Sequence, residues 1–460
     1  MDGISRTARR EPSGSAEVQI RPVSALLRRI IVGDMRSVVG HQARWVAIGY
    51  GLSLLAVPIV SRLATPADVG TWLFVAACVS ILVPSSNLRL DIALLSDETE
   101  IEVGNTARAG ITALLPSAIV GAALVMILIY LGKVHGVSQL EALGGHHLFL
   151  VPVTVGVGIF VSGAVQIGGA ITTRFRSYGP SVESRAVQLI AMPLFQVVLL
   201  GCGLGGVGLI VGDMAGRAAS LAYLLAKDSV FCAVAFRSWS ARGCSEAFKR
   251  RRRFALTAST ATFFNSICVQ FPVVAVTLIY GTAASGVFGM AWRLVNLPQS
   301  IVGASLGQLI VGETAHLVRE GRTELLAKTY RMLLIAAISG IAIGGITGSA
   351  FGNCARWVLG ANWADASRYV AVLVGPAIAQ ILIAPASPAL NVFGGDRAQL
   401  LIDTSRLTAY GLVVMAALNS ARLSSVVVAV AAIQAAYYLG TAVLLLRMCP
   451  RNTNGMRVVT

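Results

Sequence analysis

Long apolar stretches, separated by short polar segments, organise this chain. A hydrocarbon layer about 30 Å thick takes about 20 residues of helix to cross. Twelve stretches are of that order: residues 45–63, 69–88, 110–131, 148–169, 186–205, 207–226, 254–280, 284–307, 330–351, 370–392, 407–421 and 424–446. The fifth and sixth are divided only by Leu204-Gly205-Gly206, and the eleventh is short enough that a start near Leu400 is also open. The pattern predicts an all-α integral membrane protein of about 12 transmembrane helices.

Composition agrees with that pattern. Apolar residues make up 55% of the 460 and charged residues 13%, against about 25% charged in a soluble domain. The mean hydropathy is +0.74. So few polar side chains cannot cover so apolar a core in water. The 47 glycines fit the same setting, because small residues let membrane helices approach closely. These figures exclude secreted globules, nucleic-acid binders and soluble enzymes.

The net charge of +16 comes from 37 Lys+Arg against 21 Asp+Glu, and its placement decides its meaning. With the N-terminus in the cytoplasm, 29 basic residues fall in inside segments, Arg397 and Arg406 among them. Five fall in outside loops (Arg62, Lys133, Arg356, Arg368 and Arg422), while Arg44, Arg217 and Arg293 lie on or within spans. That asymmetry is the positive-inside bias. It predicts that both termini are cytoplasmic. The run Lys249-Arg250-Arg251-Arg252-Arg253 directly precedes a span, so it reads as a topology anchor against anionic membrane lipid and not as a nucleic-acid patch.

Residues 1–43 hold no apolar stretch of the signal-peptide kind. Within them Val23, Leu26, Leu27, Ile30 and Ile31 share one helical face beside Arg28 and Arg29. That is the pattern of a short helix lying on the inner leaflet, while residues 1–22 also read as a disordered basic tail. Among seven cysteines only Cys354 falls outside, so no disulfide framework is expected. His146-His147 lacks neighbouring acids or thiols, no CxxC pair occurs, and neither a metal site nor a cofactor is expected. There is no P-loop GxxxxGK[ST] and no HExxH. No outside loop exceeds about 20 residues, too few for a catalytic domain. The chain reads as a carrier and not as an enzyme.

The longest inside loop, 227–253, divides the chain into six spans and six. The expected organisation is a basic cytoplasmic tail (1–43), a first six-helix bundle (44–226), a basic linker (227–253), a second six-helix bundle (254–446) and a cytoplasmic tail (447–460). Residues 61–72 align with 277–288 at an offset of 216, which sets Gly70 on Gly286 and Trp72 on Phe288. An even number of spans per half keeps the same orientation in both. Such a parallel repeat places substrate between two lobes in transporters.

These segments also resemble a known family. Residues 55–63 followed by Ala64-Thr65-Pro66-Ala67-Asp68-Val69-Gly70 are similar to the opening of the Wzx-type polysaccharide flippases, and 87–95 resembles the segment after their second helix. In the second half the likeness runs through Phe264-Asn265-Ser266, Pro272, 286–298, 301–303, Gly307-Gln308-Leu309 and Glu313. It covers roughly residues 44–446. The resemblance implies the multidrug/oligosaccharidyl-lipid/polysaccharide exporter superfamily, with two six-helix bundles in a V around a central cavity. It further implies a bacterial inner-membrane flippase whose partner is an undecaprenyl-pyrophosphate-linked oligosaccharide, working beside a polysaccharide polymerase and chain-length machinery.

Charges inside the spans are the candidate site. An ionised side chain at the bilayer centre costs roughly 2.5–3.5 kcal/mol on insertion scales, so such residues should face a cavity or a partner. Arg293 lies about ten residues into the eighth span with no acid within a helical turn. It is a candidate contact for the substrate's pyrophosphate, the alternative being an ion pair with a distant helix. Asp213 and Arg217 stand four apart on the sixth span, either as a self-neutralising pair or as a proton site at Asp213 with Arg217 released to substrate. Arg89 and Asp91 end the second span and Glu313 the eighth. They read as a cytoplasmic gate of salt bridges or as interfacial charges held by water. A multidrug exporter of the same superfamily is the competing function, and it would need an acid in the first or seventh span; residues 45–63 and 254–280 contain none. A membrane polysaccharide polymerase is a more distant alternative.

Overall fold

The computed structural model describes residues 39–134, 149–175, 177–236, 240–319, 323–393, 395–419 and 421–449. The interfacial helix expected near 23–31 and the pair His146-His147 lie outside them. The protein is all-helical. The first half holds α1 (Val39–Leu63), α2 (Pro66–Ser86), the short α3 (Leu90–Ala93), α4 (Glu100–Val134), α5 (Leu150–Arg174), α6 (Tyr178–Gly201) and α7 (Gly205–Lys227). After α8 (Ser229–Phe236) come α9 (Ala241–Arg319), α10 (Thr323–Leu359), α11 (Ala364–Ile383), the short α12 (Ala389–Val392), α13 (Asp396–Leu418) and α14 (Leu423–Met448). The described residues from Val46 onward form one compact unit.

Ten helices among the described residues are long and apolar enough to cross a membrane, and Ile48–Leu63 is a shorter apolar helix. One of the ten, Ala241–Gln299, covers the expected seventh span and much of the eighth. Twelve expected crossings are thus accounted for, and the protein is a multi-pass membrane protein. The two crossings join at Gly281, whose φ of 88° and ψ of 177° interrupt an otherwise continuous α9. Only glycine adopts that conformation readily. The sequence GxSxG at 303–307 lies inside the same helix, without the strand-to-helix turn that exposes a nucleophile in that motif.

Short turns alternate the helices between two ends. At one end lie the α1–α2 turn, Gly281, and the starts of α7, α11 and α14; at the other lie α3 and the linker that runs into α9. We call these the turn end and the linker end. The linker is itself helical: α8 occupies part of it, and the first turns of α9 carry Cys244, Ala247 and Ala255 onto Leu90, Ala93 and Ala109. Asp97, with a fully buried side chain, accepts from Arg251 at 2.6 Å and from Arg250 at 3.4 Å, and Arg250 also pairs with Glu102. The basic run therefore ties the start of the second half to the first half through named carboxylates, beyond any attraction to lipid.

At the turn end the halves interlock. The segment before α2 is a capping box: Thr65 Oγ1 accepts from the Asp68 amide at 3.2 Å, and Asp68 Oδ2 accepts from the Thr65 amide at 3.0 Å. The box satisfies orphan donors at the helix start. Asp68 Oδ1 also accepts from the Gly206 amide at 2.7 Å, tying α7 to α2. Beside this cap α2 crosses α9. A methyl group placed on Gly70 would overlap the carbonyl of Thr282, and one placed on Gly286 would overlap that of Pro66. Both pairs are related by the 216-residue offset (66 with 282, 70 with 286), so the repeated segments meet each other reciprocally across a pseudo-two-fold contact. Trp363, 1% exposed, closes the same end by donating from Nε1 to the Ser61 carbonyl at 2.7 Å.

One span differs from expectation. Helix α13 begins at Asp396, so Arg406, counted among the inside loops, lies within a transmembrane helix and is only 6% exposed. The polar stretch Asp403-Thr404-Ser405-Arg406 looks like a span boundary in the sequence, whereas the helix continues through it and buries Arg406.

Candidate functional site

Helix direction brings the predicted charges together. Side chains on an α-helix tilt toward its N-terminus. The second leg of α9 starts at the turn end, so Arg293 reaches back toward that end. There its guanidinium lies over the ring of Trp72 on α2, with Cζ 4.7 Å from the ring centroid. This is a cation–π contact between the halves. Trp72 is 2% exposed, and its Nε1 has no hydrogen-bond partner. Asp213 on α7 lies within electrostatic reach of Arg293.

Asp213 is already engaged. Arg217 donates from Nε to Asp213 Oδ1 at 3.1 Å and from Nη2 to Oδ2 at 3.3 Å, a bidentate pair one helical turn apart. The third guanidinium nitrogen, Nη1, donates to Ser162 Oγ on α5 at 2.8 Å. Asp213 is 1% exposed. Four helices thus converge on two guanidiniums and one carboxylate. Once the close pair neutralises itself, the surplus is one positive charge, carried by Arg293. Among the described residues no carboxylate forms an ion pair with Arg293 within 4.0 Å.

The three residues predicted near the linker end do not converge. Leu88 and Arg89 both adopt left-handed backbone (φ 56° each), an unusual pair for non-glycine residues. Asn87, fully buried, supports the turn by accepting from the Arg89 amide at 2.9 Å. The turn sets Arg89 Nη1 3.6 Å from Asp91 Oδ2, which also accepts from Gln166 on α5 at 2.9 Å. Burial pushes the Asp91 carboxyl above its usual range, with Arg89 pulling the other way. Glu313 lies in the last turns of α9, half-buried, and among the described residues no ion pair links it to Arg89 or Asp91. At offset 216 its counterpart is Asp97, the residue that holds the basic linker.

Sequence reasoning missed two participants. Trp72 lay in the repeated segment, but the contact it makes with Arg293 has no local signature. Ser162 is a serine among apolar residues with nothing to single it out.

No family model matches the chain, and no curated protein matches it in sequence. Solved structures do share its architecture. A multidrug resistance MATE family transporter of the MOP superfamily, in an inward-facing conformation, matches with a TM-score of 0.60 at 16% identity over 92% of this chain and 98% of its own. The lipid II flippase MurJ, in an inward closed conformation, matches with a TM-score of 0.62 at 11% identity over 88% of this chain and 86% of its own. An outward-facing MATE family transporter of the MOP superfamily matches with a TM-score of 0.52 at 16% identity over 91% and 97%. The chain has the fold of these transporters.

Proposed function

We propose that this protein is a flippase of the multidrug/oligosaccharidyl-lipid/polysaccharide exporter superfamily. It moves an undecaprenyl-pyrophosphate-linked oligosaccharide from the cytoplasmic to the periplasmic leaflet of a bacterial inner membrane. The observation that carries this reading is the surplus positive charge of the Arg293–Asp213–Arg217 cluster, inside the membrane and between the halves. A guanidinium takes a phosphate bidentately, and the energetic cost of placing one inside the bilayer is offset when an anion binds there. A neutral or cationic substrate would gain nothing from it.

The working cycle is alternating access. The interlocked turn end is the arrangement expected of a state closed on the periplasmic side. The pyrophosphate enters against Arg293 and competes with Trp72 for its charge. The halves then part at Gly70 and Gly286, and the head group leaves on the periplasmic side, where polymerase and chain-length machinery would use it. The likeness in fold to MATE transporters equally supports a multidrug exporter, but the sign of the surplus charge favours an anionic substrate.

Transport assays in vesicles reconstituted with the purified protein test the choice. Lipid-linked pyrophosphoryl oligosaccharide should change leaflet in a protein-dependent way, and a lipophilic cationic dye should not move. Dye transport without movement of the lipid-linked sugar would overturn the flippase reading in favour of drug export.

A further inference from the structure

At the linker end a carboxyl and an amide meet with one hydrogen bond made and one missing. Gln166 Nε2 on α5 donates to Asp91 Oδ2 on α3 at 2.9 Å. Asp91 is 7% exposed. Its other oxygen, Oδ1, is buried, as is Gln166 Oε1, and among the described residues neither has a hydrogen-bond partner. A carboxylate oxygen and an amide oxygen are both acceptors, and a buried acceptor left unmet is expensive. Arg89 does not fill the gap. Its Nη1 stands 3.6 Å from Oδ2, the oxygen that Gln166 already serves.

A single proton would meet both oxygens. A neutral carboxyl and a primary amide pair edge to edge: the acid's carbonyl oxygen accepts from the amide N–H, and its O–H donates to the amide oxygen. The first of these bonds is in place, and the atoms of the second are the two without partners. Coplanar alignment of the two groups sets those atoms side by side. Burial acts in the same direction by pushing the Asp91 carboxyl up, while Arg89 opposes it.

The other charges near α3 are engaged elsewhere. Helices α4 and α5 and the first leg of α9 pack against it. From α4, Arg108 donates from Nε to the Gly104 carbonyl at 2.8 Å, and Glu102 pairs with Arg250. From α5, Arg174 donates to the Asp97 carbonyl at 2.8 Å. From α9, Arg250 and Arg251 pair with Asp97, and the Cys244 thiol lies within electrostatic reach of Arg108.

We propose that Asp91 and Gln166 form a proton-binding site at the linker end, in which the proton sits on Asp91 Oδ1, donates to Gln166 Oε1 and competes with Arg89 for the carboxylate. The proton comes from water at that end, which the Arg89 and Asp91 side chains reach with 19% and 9% of their surface. One O–H bond forms and one negative charge is lost. Binding leaves Arg89 without its carboxylate, in a left-handed turn that Asn87 holds; release restores the ion pair. The site makes the linker end responsive to pH whatever cargo the protein carries.

The test is infrared spectroscopy of the full chain in nanodiscs, titrated in heavy water. The carbonyl stretch of a neutral carboxyl should appear on acidification and be missing in Asp91→Asn. Its midpoint should lie at least about one unit above the ordinary carboxylate value of about 4. Arg89→Gln removes an opposite charge and should raise that midpoint by about one unit or more. Gln166→Leu should move the band to higher frequency, because the acid carbonyl loses its hydrogen bond; a carboxyl that is merely buried would show no such shift. If one of these two variants fails to fold, the wild-type midpoint and the other variant decide. An Asp91 carboxyl still ionised at about pH 4 would overturn the proposal, as would a band indifferent to Gln166→Leu. Loss of the band when sodium replaces a bulky organic cation at constant ionic strength would assign the two oxygens to a metal cation and overturn the proton assignment.

Discussion

At the scale of single residues, one guanidinium separates two kinds of role. If Arg293 holds a pyrophosphate, its removal deletes charge-assisted hydrogen bonds of about 1.5–3 kcal/mol, and transport at limiting substrate should fall about tenfold or more. Stability should change little, because the cation–π contact with Trp72 is worth only about 0.5–2 kcal/mol. Arg293→Ala should therefore reach normal abundance in the membrane yet fail to complement an export-deficient strain, and Arg293→Lys should recover part of the activity. A purely structural role predicts the reverse, with protein level falling in step with export. Asp91 offers a second test. Burial raises its carboxyl above the usual range, so the folded protein binds that proton more tightly than the unfolded chain does. Its contribution to stability is then full below the ordinary carboxylate pKa of about 4 and is lost as the pH rises through the folded value. Asp91→Asn, uncharged throughout, should be at least as stable as the wild type at neutral pH. Thermal melts from pH 4 to 7 should show a smaller decline for the variant; a steeper one would contradict the assignment.

At the scale of elements, the crossing of α2 and α9 holds the two halves together at the turn end. The absence of a Cβ at Gly70 and Gly286 is what lets the two backbones touch. Overpacking costs about 1–3 kcal/mol, and here it would fall on the turn-end-closed state alone. Gly70→Ala or Gly286→Ala should shift the population toward turn-end opening by about 5- to 150-fold. Labelling of a cysteine placed at the buried Ser285 by an impermeant thiol reagent, with the native cysteines replaced, reads that shift. Gly51, which has nothing within 4 Å of an added methyl group, supplies the control: Gly51→Ala should leave labelling unchanged. Unaltered labelling in Gly70→Ala would mean that this contact does not govern access.

For the whole molecule, the distribution of charge sets its orientation across the bilayer. The helices alternate between two ends, and the excess of basic residues at the linker end predicts that this end faces the cytoplasm. Reporter fusions after Val134 and Asn362 should accordingly register periplasm, and fusions after Arg242 and Thr460 cytoplasm. A reversed pattern would invert the direction of the proposed transport.

Length and hydropathy alone determined that this chain crosses a membrane about twelve times, because a span is specified by its own residues and needs no partner. The 216-residue repeat was legible for the same local reason, as a turn, a glycine and an aromatic recurring in order. The charges that matter were visible as intramembrane exceptions, and the i,i+4 pairing of Asp213 with Arg217 followed from helical geometry. Only the tertiary structure decided who meets whom. It set Arg293 on Trp72 and Ser162 on Arg217, and it kept Glu313 out of an ion pair with Arg89 and Asp91. It also drew Arg406, counted with the inside loops, into a helix that starts at Asp396, close to the earlier of the two starts the sequence left open. Contacts between helices depend on crossing angle and close approach, and these are fixed by packing across the whole bundle, not by any one segment.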